Sequence, residues 1–189
     1  MKSQIRSLAL ILLTVAFAFL VYIGVAGLGT TGQHLFVISL ARLGFLVGLG
    51  AIVAASRRQS RLLYGGFTLA VVAAVFNLVG AISHIAIDGW AFDPFSGALA
   101  AAQPPVYSMI IGLTAVLFAL GTILVAIGLL RQKASTRLAW VTLFAGVLYA
   151  VAIPLAALGH IIWTIPWLVL GLLMLATKSG TVRQQPTLT

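Results

Sequence analysis

The chain has no cysteine, and its only acidic residues are Asp88 and Asp93. Without cysteine there are no disulfides, thiolate metal sites or iron–sulfur clusters. With two carboxylates, both in or beside one long connection, a carboxylate-driven proton pump has no relay. No lysine falls inside an apolar run, which excludes a retinal Schiff base. No Walker loop occurs, so no P-loop nucleotide site is visible, and no HExxH marks a zinc protease.

What is present is apolar. Hydrophobic residues make up 62% of the 189 residues and charged residues 7%, against about half and a quarter in a soluble domain. A soluble core of this length could not bury so much apolar surface. Several runs reach about 18 residues or more without a charge, which is enough to cross a bilayer as a helix. Lipid offers backbone groups no partners, so a span must be a helix or part of a closed barrel. Continuous runs, without two-residue alternation, select helices. The expected fold is an all-α polytopic integral membrane protein, a bundle of six transmembrane helices. The spans run from about Leu8 to Leu28, His34 to Ala55, Leu62 to Ile87, Val106 to Leu130, Leu138 to Leu158 and Ile161 to Thr177. Residues 1–178 form the membrane domain and 179–189 a disordered cytoplasmic tail. The first span reads as a retained helix, too long for a signal peptide despite a small-residue site at Val25-Ala26-Gly27.

A net charge of +9 suggests nucleic acid, but the basic residues sit between apolar runs, where topology signals belong. With both termini cytoplasmic, ten of the eleven lie inside: Lys2, Arg6, Arg57, Arg58, Arg61, Arg131, Lys133, Arg137, Lys178 and Arg183. This is the pattern of a multi-pass protein of a bacterial-type inner membrane, whose partner is the bilayer and not nucleic acid. Trp90, Tyr107, Trp163 and Trp167 fall near the outer boundary, and Tyr64 and Trp140 near the inner one, as in an aromatic belt. Residues 43–84 and 116–160 share a plan: apolar run, basic turn, apolar run, histidine. Arg61 and Arg137, and His84 and His160, are each 76 residues apart. The two hairpins read either as parallel repeats or as a likeness of composition.

The exception to the charge pattern is Arg42, inside the second span and eight residues past His34, about 12 Å down a helix. A charge at that depth costs several kcal/mol unless paired or wet. Its fork of donors suits a carboxylate or a lipid phosphate, with Ser39, Asn77, Ser83 and Asp88 as candidate neighbours; the alternative is a side chain that snorkels to the headgroups. His34, His84 and His160 each fall at an outer connection. They could share zinc, copper or haem iron, or sit at the boundary as amphipathic side chains. Asn77, His84 and Asp88 lie along one helical face, where Asp88 could orient His84 or simply end the helix. Gly44-x-x-x-Gly48, Gly121 and Gly128 permit close helix packing within the chain, in a homo-oligomer or in a membrane complex. Pro154 is expected to kink the fifth span. Trp163, Pro166 and Trp167 read as interface anchors.

The function these residues suggest is an outward-facing polar pocket that binds or transports a small ligand or lipid. Arg42, Asn77 and Asp88 are the ligand-binding candidates, His34, His84 and His160 the metal candidates, and no residue is a catalytic candidate. Two rival readings stay open: a non-catalytic membrane subunit of a larger complex, and a histidine-ligated metal or haem membrane enzyme.

Overall fold

A computed structural model of the chain describes residues 2–26, 32–56, 60–88, 105–132, 136–152 and 156–176, with side chains for most of these. The described elements are six helices: α1 (Lys2–Ala26), α2 (Gly32–Ala55), α3 (Arg61–Asp88), α4 (Pro105–Arg131), α5 (Thr136–Ala152) and α6 (Ala156–Ala176). Four contain stretches long and apolar enough to cross a membrane: Arg6–Ile23, Phe36–Ala55, Arg61–Ser83 and Gly112–Arg131. The last two helices carry shorter apolar stretches, Thr136–Val151 and Ile161–Ala176. The 88–105 connection beyond its helical ends, Pro154 and the 179–189 tail lie outside the described residues.

The helices follow the apolar runs with one shift. Continuous hydropathy carries the fifth run to Leu158, but α5 stops at Ala152 and α6 starts at Ala156. His160 therefore belongs to the first turns of α6, not to a connection. At the other end of the hairpin α2–α3, the Ser60 hydroxyl accepts from the Leu62 N–H at 3.2 Å and the Ser60 carbonyl from Tyr64 N–H at 3.1 Å, capping α3.

Each helix packs on the next in sequence, and α6 packs on α1, closing a ring of six. The contacts run antiparallel throughout. A Cβ on Gly44 would meet Val15 and one on Gly48 would meet Leu12, so α2 descends as α1 rises. Gly128 faces Leu63, and Gly121 faces Gly66 and Ala70, setting α4 against α3. At that crossing the backbones nearly touch: a Cβ on Gly121 would lie 2.6 Å from the Gly66 carbonyl oxygen. Lipid is as apolar as a leucine side chain, so apolar burial does not drive helices together there, and close van der Waals packing at small residues does. The four glycines singled out in the sequence make these crossings within the chain.

Large apolar side chains cover the outside of every helix, among them Phe17, Val47, Phe76, Leu120, Phe144 and Leu172. An apolar belt all round suits a lipid environment. Described basic side chains at the ring's ends, Arg6, Arg61, Arg131 and Arg137, are exposed and share the end where α1, α3 and α5 begin. Two hydroxyls within the helices return to their own backbone: Thr122 donates to the Phe118 carbonyl at 2.9 Å and Thr142 to the Leu138 carbonyl at 2.7 Å.

Candidate functional site

The ring encloses a plug of aromatic side chains at mid-height. Phe45 of α2 stacks on Trp167 of α6 with centroids 4.9 Å apart and planes 8° apart, and meets Trp163 edge-on at 4.9 Å. Tyr149 of α5 meets Trp163 at 4.8 Å and Phe118 of α4 at 5.4 Å. Phe19 of α1 reaches Trp163 at 5.9 Å. Trp163 and Trp167 are each only 1% exposed. They face the centre of the ring and do not anchor a lipid–water boundary, whereas Trp140 and Tyr64 near the basic end are exposed. Buried positions Trp163, Trp167, Leu170 and Met174 recur at helical spacing, a signal masked in the sequence because the lipid-facing positions between them are equally apolar.

Two sets of polar side chains share this layer. In the first, Asn77 of α3 bridges its neighbours: its amide donates to the Ser39 hydroxyl of α2 at 2.6 Å, and its carbonyl oxygen accepts from Thr114 of α4 at 3.2 Å. All three residues are buried. Hydrogen bonds between helices in lipid contribute about 0.6–2 kcal/mol each, so this chain ties three helices at one level.

The second set is not paired. Arg42 is one turn along α2 from Ser39 and is 4% exposed. Its side chain crosses the ring to α5, with Cζ 5.3 Å from the Tyr149 ring centroid, a cation–π contact. The guanidinium lies close to the Tyr149 hydroxyl without hydrogen-bond geometry. Arg42 Nε and Nη1, the Tyr149 hydroxyl and the Trp167 indole N–H are all buried without a hydrogen-bond partner. Of six such side-chain atoms among the described residues, these are four; the others, Ser56 Oγ and Gln132 Nε2, lie at helix ends. A buried polar group left unpaired costs about 1–3 kcal/mol, and more when charged.

Arg42 and Asn77 are thus brought to one layer, through Ser39. Asp88 is not level with them: it closes α3 eleven residues beyond Asn77, about 16 Å away at 1.5 Å per residue. His34, His84 and His160 occupy the end of the ring opposite the exposed arginines, in the first turns of α2 and α6 and the last turns of α3. Their side chains, like that of Asp88, lie outside the described residues. No cluster of metal-ligating side chains occurs among the described ones.

Towards the histidine end, α3 continues eleven residues past Asn77 and α4 begins nine residues before Thr114. A separate groove of about 430 Å³ on the outer surface of α5 and α6 is lined by Trp140, Phe144, Leu148, Ile165 and Pro166 among others. It is apolar but for the Trp140 indole and would hold hydrocarbon, not a headgroup. Sequence reasoning missed Thr114, Tyr149 and Trp167 as members of the central layer. Compared with known proteins, the chain matches no family model, no curated protein and no solved structure.

Proposed function

We propose that the protein is a six-span inner-membrane protein, termini in the cytoplasm, that binds and transports a small ligand or lipid through a pocket at the centre of its helix ring. The hairpins α2–α3 and α4–α5 are then parallel repeats around that pocket. Arg42 and Asn77 hold the ligand, which enters from the outer face, where His34, His84, His160 and Asp88 rim the mouth.

The observation that carries this reading is the buried Arg42 guanidinium at mid-height of an apolar helix, with Nε and Nη1 lacking any hydrogen-bond partner. A structural arginine would be paired, and a snorkelling one would extend towards a boundary; this one points across the ring at Tyr149. An ionisable side chain held inside a membrane bundle marks a substrate path by default. A ligand that binds only the folded state raises stability by mass action, about 2.7 kcal/mol at a hundred times Kd. Thermal unfolding of the detergent-purified protein across a panel of small solutes and lipids therefore tests the proposal. The expected result is stabilisation of the wild type by at least one class, lost in Arg42→Gln and reduced in Asn77→Leu. A flat response over the whole panel, or one unchanged in both variants, defeats it.

A further inference from the structure

We infer that the group recognised in this pocket is a small monovalent anion, a carboxylate or a halide, held between Arg42, Trp167 and Tyr149; the inference rests on the pocket reading above. The unpaired atoms are of one kind. A guanidinium has five N–H donors and no acceptor, an indole nitrogen only donates, and a phenol can donate. Arg42 Nε and Nη1, Trp167 Nε1 and the Tyr149 hydroxyl together present donors with nothing to receive them. Their complement is an acceptor.

Charge makes that acceptor an anion. Arginine keeps its proton under all conditions a protein meets. The chain holds two acidic residues in all, Asp88 and Asp93, and the first is three helical turns from the layer. No carboxylate among the described side chains neutralises the guanidinium, and in this inference a bound anion takes that part. One fixed positive charge in low dielectric balances one negative charge; a dianion would leave an uncompensated charge buried. Size follows from the aromatic plug. Phe45, Phe118, Trp163 and Tyr149 already touch at centroid distances of 4.8–5.4 Å, which excludes a bulky head. The positive edges of aromatic rings also favour an anion in their plane.

The experiment is a titration of tryptophan fluorescence and thermal stability in detergent-purified protein, with sodium sulfate replaced by sodium chloride or sodium acetate at constant ionic strength. The expected result is a saturable change with chloride, acetate or both, the two arms separating a halide from a carboxylate site. The change is expected to vanish in Arg42→Gln and to persist unaltered in Arg61→Gln, an exposed arginine at the far end. Trp167→Phe removes one donor and is expected to weaken the anion about tenfold. Should Arg42→Gln fail to fold, Arg42→Lys, which keeps the charge and loses the fork, is expected to weaken it by a similar factor. A change linear in anion concentration and equal in wild type and variants overturns the inference. If uncharged or cationic solutes stabilise the protein through Arg42 while neither anion does, the pocket stands and its anion is wrong. If no solute of any charge does so, both fall.

Discussion

The two polar clusters of the central layer differ in one respect. Ser39, Asn77 and Thr114 are joined by hydrogen bonds across α2, α3 and α4. Arg42, Tyr149 and Trp167, on the opposite side, hold polar atoms with no partner. Both clusters are buried at the same height in an apolar bundle, so burial alone does not separate them. Pairing does. A satisfied network holds helices together, whereas an unsatisfied one stores a cost that a ligand can relieve. The same layer therefore carries a structural half and a binding half.

The largest effect should come from removing the frame that supports both halves. In Gly121→Val, side-chain atoms would meet the Gly66 carbonyl and the Ala70 backbone nitrogen, which cannot give way as a flexible side chain would. The α3–α4 pair should separate, with a loss of about 3 kcal/mol or more, read as loss of a monodisperse peak and of cooperative thermal unfolding. If Gly121→Val unfolds like the wild type, the close crossing is not where stability resides.

Substitutions within the layer should then have opposite signs. Arg42→Met removes an unpaired buried charge and keeps most of the volume, so the ligand-free protein should gain about 1–3 kcal/mol. Asn77→Leu removes two interhelical hydrogen bonds and should lose about 1–2 kcal/mol. Denaturation of the two variants side by side checks the distinction; a loss in both would mean that Arg42 is part of the frame. Tyr149→Phe deletes a hydroxyl without a hydrogen bond and should change stability by no more than about 0.5 kcal/mol, while weakening any anion response. A large loss of stability in Tyr149→Phe would show that the hydroxyl is paired in the working protein.

Much of this architecture was legible in the sequence. The apolar runs place six helices because chain length per span and freedom from charge are local properties. Arg42 and Asn77 stood out because a charge and an amide are rare in such runs. Tyr149, Trp163 and Trp167 did not, since an aromatic side chain in an apolar helix fits a boundary belt as well as an interior. Their burial depends on which way each helix is turned. In a helix that is apolar on every face, the period of hydrophobic residues does not indicate that direction. Asp88 illustrates the converse: helical spacing put it on the Asn77 face, but its distance along α3 separates it from the layer.

The sequence by itself determined that the chain forms apolar helices, and that basic residues mark the ends where α1, α3 and α5 begin. Only the tertiary structure decided that the ring closes from α6 onto α1, and that Arg42 reaches across it to Tyr149. Hydropathy is summed along one helix, whereas pairing of buried polar atoms depends on side chains from different helices meeting at one height.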